Sequence, residues 1–113
     1  MKSFLLVFLG GGLGSGLRYL VTITMNQYSK VLPLGTFTVN MLGCLLIGLI
    51  LGYAQKENTL TSNQTLLLAT GFCGGFTTFS AFANDNLELI KNGEIFNFSI
   101  YTISSILVGV LAV

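Results

Sequence analysis

The segment GFCGGFTTFSAF, residues 71–82, combines residue types that are suited to handling ions. Phe79 and Phe82 are three positions apart, so their rings share one face of a helix. The edge of an aromatic ring carries partial positive charge and can face an anion. The glycines favour a helix break, where the exposed main-chain oxygens of Gly74 and Thr77 could bind a hard cation such as Na⁺. Close helix packing by the glycines, and ordinary core or lipid contacts of the phenylalanines, are the alternatives.

Polar side chains recur at helical spacing elsewhere in apolar sequence. Thr36 and Asn40 are four positions apart, as are Tyr101 and Ser105, so each pair lies on one helix face. For a single stripe, hydrogen bonds between neighbouring helices are the favoured explanation. Two stripes on different helices favour a lined pathway, in which amide and hydroxyl groups replace part of the water shell of an ion.

The charged residues favour an anion over a cation as the permeant ion. Arg18 is the one charge well inside an apolar stretch, where it either reaches the membrane surface or attracts anions to a vestibule. The acidic residues fall in loops or near the ends of apolar stretches: Glu57, Asp85, Glu88 and Glu94. Proton-coupled transporters generally need an ionisable acid or histidine at membrane depth, and the sequence has no histidine.

The composition is that of an integral membrane protein. The chain has 113 residues, of which 52% are hydrophobic and 8% are charged, whereas soluble domains carry about 25% charged residues. A net charge of +1 gives no reason to expect a nucleic-acid partner. Cys44 and Cys73 lack metal-ligand spacing and are interpreted as small packing residues. The sequence therefore predicts one transmembrane domain over residues 1–113, with no soluble domain.

Polar interruptions divide the chain into four apolar stretches, each close to the ~20 residues that a bilayer-crossing helix needs. The predicted spans are residues 3–25, 34–54, 65–90 and 95–113. Backbone groups must be satisfied inside lipid, so all four are expected to be helices, and Pro33 suits the start of the second. The third is expected to break in mid-membrane at GFCGG. The predicted fold class is an all-α membrane protein with four transmembrane helices per chain.

The signals that orient these helices cancel. Lys2 and Lys56 lie on the side shared by the termini, and Lys30 and Lys91 lie on the opposite side. A tied positive-inside count indicates either weak topology signals or insertion in both directions, and we favour the second. Two copies could then associate antiparallel. Small residues repeated at four-residue spacing in several spans permit close helix contact and indicate a tightly packed oligomer.

The segment at residues 71–82 resembles the third-helix signature of the Fluc (CrcB) fluoride channels. The stretches GGGLGSGLRYL and GTFTVNMLG resemble the first and second helices of that family, and the length and four-span layout agree over essentially the whole chain. The resemblance implies an antiparallel, dual-topology homodimer in the bacterial cell membrane, with separate fluoride pathways built from both subunits. A related second chain is the alternative partner, since some bacteria carry two such chains that pair as heterodimers.

The resemblance also implies roles for individual residues. It places six of them along the fluoride pathway: Phe79, Phe82, Asn40, Thr36, Tyr101 and Ser105. It matches Arg18 to the family's first-helix arginine, and Gly74 and Thr77 to residues whose carbonyls hold a structural Na⁺ at the dimer interface. The chain departs from the family pattern in two places. Asp85 stands where many members have glutamate, and Gly109 stands where the polar track often continues with serine.

The residues and the resemblance together predict a passive fluoride channel that lowers cytoplasmic fluoride without an enzymatic step. A proton-coupled exporter of the small multidrug type is the main alternative, because those proteins are also four-helix, dual-topology dimers. They depend on a glutamate in the first helix, where this chain has Arg18 and no acid. A membrane assembly module without transport activity is the second alternative.

Overall fold

Every regular element is a helix over residues 1–57 and 60–113, which the computed structural model describes. Four helical stretches are long and apolar enough to cross a membrane: Lys2–Tyr28, Leu34–Lys56, Ser62–Lys91 and Ile95–Ala112. The predicted all-α class with four spans per chain is confirmed. The loop expected over residues 55–64 includes residues 58 and 59, which lie outside the described residues, as does the side chain of Glu57.

The third span is built from several pieces, whereas the other spans are each dominated by one long helix. In the described residues the helices are α1 (Lys2–Met25), a 3₁₀ turn (Asn26–Tyr28), α2 (Leu34–Glu57), α3 (Ser62–Thr65), a π-helical segment (Leu66–Cys73), α4 (Gly74–Phe76), α5 (Phe79–Lys91) and α6 (Ile95–Ala112). The third span therefore runs through α3, the π-helical segment, α4 and α5.

Local sequence signals explain where the helices begin and end. α2 starts at Leu34, directly after Pro33, whose fixed φ suits the first turn of a helix. Before α3, the Thr61 hydroxyl accepts from the Gln64 N–H at 3.1 Å, and the Gln64 side chain accepts from the Thr61 N–H at 3.0 Å. This reciprocal pair is a capping box. Gly93, with φ of 74°, ends the α5 turn in the left-handed conformation that glycine adopts most readily.

Glycines bring α1 into direct contact with the backbone of the third span. A Cβ added at Gly75 would lie 2.8 Å from the Cα of Gly11, and one added at Gly14 would lie 2.8 Å from the amide nitrogen of Phe76. The Ser15 hydroxyl donates to the Gly75 carbonyl at 3.3 Å across the same contact. Small residues allow such close approach in lipid, where association depends on packing and hydrogen bonds. The glycines of the third span were interpreted either as sites of close helix packing or as a helix break. Close packing is present at Gly75.

The break in the third span is present, but it lies beyond the glycines at which it was expected. Leu66–Cys73 is π-helical and Gly74–Phe76 continues as α-helix, so GFCGG itself stays helical. Thr77 and Thr78 are extended instead, with ψ angles of 159° and 124°. The backbone of α1 packs against Gly71 and Gly75, which favours their helical conformation, and the chain opens two residues after Gly75.

Gly14→Ala is expected to destabilise the folded chain by about 1–3 kcal/mol, because the added methyl would overlap backbone atoms of Phe72 and Phe76. Gly16→Ala is the matched control in the same helix, since its Cβ would meet nothing within 4 Å and alanine favours helix. Unfolding of each variant by SDS in mixed micelles, followed by circular dichroism, measures both free energies. Equal losses in the two variants would contradict the backbone contact between α1 and the third span.

Candidate functional site

The side chain of Asn40 holds the break in the third span. Its Nδ2 donates to the Thr78 carbonyl at 3.0 Å, and its Oδ1 accepts from the Thr78 N–H at 2.8 Å. Both main-chain polar groups of Thr78 are thereby satisfied where the helical hydrogen bonds are interrupted, as a break inside lipid requires. The amide of Asn40 keeps one further hydrogen that it can donate. It can therefore support the break and still offer a donor to a neighbouring cavity.

Hydroxyl groups stabilise the chain on either side of the break. The Thr77 Oγ1 donates to the Cys73 carbonyl at 2.9 Å, which closes the end of α4. The Thr78 Oγ1 accepts from the Ala81 N–H at 3.2 Å and caps the start of α5. The first turn of α5, which begins at Phe79, carries the partial positive charge of a helix N-terminus and favours a nearby anion.

A cavity of about 320 Å³ beside the break collects four of the six predicted pathway residues: Asn40, Phe79, Phe82 and Ser105. The ring centroids of Phe79 and Phe82 are 5.9 Å apart and the rings are inclined by 45°, so they do not stack face to face. The Oγ of Ser105 is buried and has no hydrogen-bond partner among the described residues. A buried hydroxyl without a partner is costly, and it is available to a ligand. The cavity is thus lined by two aromatic rings together with an amide and a hydroxyl group.

The other two predicted pathway residues, Thr36 and Tyr101, lie against Asp85. The Tyr101 ring contacts Phe82, with centroids 5.1 Å apart, and its hydroxyl donates to the Asp85 Oδ2 at 3.1 Å. The Thr36 side chain lies close to the same Asp85–Tyr101 pair. Thr36 and Tyr101 are both buried and do not line the cavity that contains the phenylalanines. Tyr101 therefore connects the two groups through its ring contact with Phe82.

Arg18 lies in a separate cavity of about 220 Å³ between α1, α2 and the break. Its Nε is buried and has no hydrogen-bond partner in the described part of the chain. Thr36 and Thr78 also line this cavity, so it adjoins both the Asp85 group and the break. A guanidinium with an unpaired donor beside hydroxyl groups is suited to an anion.

A larger cavity, of about 490 Å³, opens where the loop before α2 meets the end of α5. Its charged lining consists of Lys30 and three acids: Asp85, Glu88 and Glu94. Arg18, which was expected to supply a vestibule charge, is not part of this lining and lies in its own cavity. In the single chain the outer cavity is therefore mainly acidic.

Gly74 and Thr77 line a further cavity, of about 410 Å³, between α2 and the third span. Neither of their carbonyl oxygens accepts a hydrogen bond within the described residues, because the helix ends at Phe76. Gly74 is exposed in the single chain. Unpaired main-chain carbonyls are suitable ligands for a hard cation. The two groups fit such an ion if it receives its remaining ligands from outside this chain.

The sequence pattern of the family described as "CrcB-like protein, Camphor Resistance (CrcB)" matches residues 5–113. The chain belongs to the CrcB family. A relative from Flavobacterium psychrophilum named "Fluoride-specific ion channel FluC" is 45% identical over 113 residues, covering 99% of this chain and 91% of the relative. Proteins of the same name from Phocaeicola vulgatus and Gloeothece citriformis are 48% identical over 114 residues and 49% identical over 113 residues. They cover 100% and 99% of this chain, and 93% and 91% of their own lengths. The suspected family is confirmed, and this CrcB family member is a multi-pass bacterial membrane protein.

Two residues of this CrcB family member have contacts at the site that the sequence did not indicate. Thr78 was expected only as one of several hydroxyls, but it is both the partner of Asn40 and the cap of α5. Its signal was the preference for threonine at a helix start after a break. Asp85 was noted as an acid near the end of a span and as a departure from glutamate, but not as a neighbour of the site, although it is three positions after Phe82 and shares its helix face.

Asn40→Ala is expected to destabilise this CrcB family member by about 2–5 kcal/mol, because the N–H and the carbonyl of Thr78 both lose their partner. Thr102→Val is a control that removes one side-chain bond, to Asn86 at 3.2 Å, and is expected to cost about 1 kcal/mol. Unfolding by SDS in mixed micelles compares the two. If Asn40→Ala is no less stable than Thr102→Val, the amide does not hold the break.

Proposed function

We propose that this chain forms a passive fluoride channel that exports fluoride from the bacterial cytoplasm, with no enzymatic step. The observation that supports this function best is the cavity beside the break. There the rings of Phe79 and Phe82 line the same space as the Asn40 side chain and the unpaired hydroxyl of Ser105. Relatives that cover the whole chain carry the name of a fluoride-specific ion channel.

The chemistry of this lining suits a small, hard anion that is costly to dehydrate. Asn40 and Ser105 supply hydrogen-bond donors, which can replace part of the water shell of fluoride. The positive ring edges of Phe79 and Phe82 add weaker attraction beside them. The described residues that line the cavity include no charged side chain, so no fixed cation holds the ion there. Conduction needs binding that is strong enough to admit the ion and weak enough to release it.

The remaining predicted residues are assigned to the approach and to the continuation of the pathway. Arg18 attracts fluoride through its unpaired guanidinium N–H. Thr36 and Tyr101 supply hydroxyl groups beyond Phe82, where the Tyr101 hydroxyl donates to Asp85 in the single chain. Rotation of the Tyr101 hydroxyl away from that carboxylate turns its hydrogen toward a passing anion.

A second, antiparallel copy is proposed to complete the pathway. Phe79 is 78% exposed in the single chain, so its ring lacks a surface that would enclose an ion beside it. A hydrated anion pathway cannot face lipid, because lipid offers no hydrogen bonds. The tied lysine count allows both insertion directions, and thus a homodimer of opposed copies. A related chain is the alternative occupant of the second position.

A structural Na⁺ is proposed at Gly74 and Thr77, between the two copies. The two unpaired carbonyl oxygens in each chain support it, because symmetry-related copies would double the number of ligands. The ion would supply a fixed positive charge that holds these carbonyls together. It is assigned to assembly and not to a step of conduction.

Fluoride efflux from liposomes that contain only the purified chain tests the proposal. A passive channel releases fluoride down its gradient with no proton gradient, once valinomycin and K⁺ balance the charge. A proton-coupled exporter would instead respond to an imposed pH gradient, and an assembly module would produce no flux. Absence of fluoride release from wild-type liposomes would contradict the proposed function.

Phe82→Ile is expected to reduce fluoride efflux by about tenfold or more, because isoleucine has no ring edge to offer the ion. Phe96→Ile is the matched control, since Phe96 is 75% exposed on α6 and lines none of the cavities described above. Size-exclusion chromatography in detergent checks that both variants assemble as the wild type does. Equal efflux through both variants would contradict the proposed role of the Phe82 ring in the fluoride pathway.

Ser105→Ala is expected to lower efflux by about tenfold, which corresponds to the loss of one hydrogen bond of ~1.4 kcal/mol to the ion. Its stability should not fall, because the Ser105 hydroxyl has no protein partner to lose. Ser99→Ala is the control on the same helix, where the hydroxyl donates to the Ile95 carbonyl at 2.9 Å. Efflux and SDS unfolding of both variants are measured together. A Ser105→Ala variant that conducts normally would show that this hydroxyl does not touch fluoride.

A further inference from the structure

We propose that Cys44 is a further lining residue of the fluoride pathway. Its thiol would provide a donor at the level where α6 carries Gly109 instead of a hydroxyl residue. The inference rests on the proposed fluoride function and adds a specific residue to it. It goes beyond the first interpretation of Cys44 as a small packing residue.

The geometry of α2 places Cys44 next to the proposed members of the site. Cys44 is four positions after Asn40, so the two side chains lie on the same helix face, one turn apart. Cys44 lines the 320 Å³ cavity together with Asn40, Phe82 and Ser105. The thiol therefore continues the face from which the Asn40 amide reaches this cavity.

The contact between α2 and α6 places the Cys44 thiol beside the part of α6 that has no hydrogen-bond donor. Gly109 is four positions after Ser105, so it occupies the next turn of the same α6 face. It carries no donor side chain, and a Cβ built there would lie 3.5 Å from the Cys44 Sγ. The sulfur thus lies in contact range of the position that the hydroxyl track on α6 leaves without a side chain.

The two cysteines differ in burial and in the cavities that they line. Cys73 is 1% exposed and is buried between the helices, as a packing residue should be. Both cysteines line the cavity with Gly74, but Cys44 is only partly buried and also lines the cavity with the phenylalanines, which Cys73 does not. A thiol is a weaker donor than a hydroxyl. Fluoride would therefore be held less tightly at Cys44 than at Ser105, which favours its movement past this level.

Silver ion is a suitable probe, because it is small, soft and binds thiolate sulfur with release of the thiol proton. Fluoride efflux is measured from chloride-free liposomes before and after Ag⁺ is added as nitrate. Fluoride efflux through the wild type is expected to fall at least about tenfold. Cys44→Ala should conduct less than the wild type, but its remaining efflux should be insensitive to Ag⁺, although Cys73 is still present.

A second comparison tests whether the side chain at position 44 acts as a hydrogen-bond donor to fluoride. Cys44→Ser, which keeps a hydrogen-bond donor of similar size, is expected to conduct at least about threefold more fluoride than Cys44→Ala. Inhibition by Ag⁺ that persists in Cys44→Ala would overturn the inference, as would a conducting wild type that Ag⁺ does not inhibit. Equal efflux through the serine and alanine variants would overturn the role of the donor. A wild type that releases no fluoride at all would overturn the proposed function, and this inference with it.

Discussion

The two hydrogen bonds between the Asn40 amide and the main chain of Thr78 are the constraint on which the rest of the site depends. A helix break inside lipid exposes peptide groups that find no water, and each such group costs free energy until it has a partner. One side chain satisfies both groups of one residue here. The break is stable for that reason, and α5 can restart at Phe79 with its rings beside Ser105.

The same residue thus serves the fold and the proposed conduction. The Asn40 side chain cannot move far without releasing Thr78, so any donor that it offers to an ion is held in a fixed place. Such preorganisation matters for fluoride, because a rigid donor need not be reoriented at a cost when the ion arrives. Ser105 reaches the same cavity from α6 and has no competing partner in the described residues. The site combines one fixed donor with one free donor.

Much of the architecture was predictable from the sequence, because composition and spacing determine it. Four apolar stretches must become helices in a bilayer, and the spacing of Phe79 and Phe82 puts them on one face. The position of the break was not predictable. Glycine has low helix propensity in isolation, but Gly75 is held helical by α1, whose Gly11 backbone it contacts. The break instead lies where a partner 38 residues away can satisfy it, and the sequence around the break does not reveal that partner.

The contact of α1 with the third span has a consequence for the response to different lipids. Two helices that touch through backbone atoms have no flexible side chains between them to absorb relative movement. A bilayer of different thickness tilts its helices, so a tilt of α1 would carry the α3–α4 half of the third span with it. The extended pair Thr77–Thr78 is the only covalent link from that half to α5, and the angular mismatch would concentrate there. Membrane thickness would therefore act on the aromatic cavity through the two residues whose position Asn40 fixes.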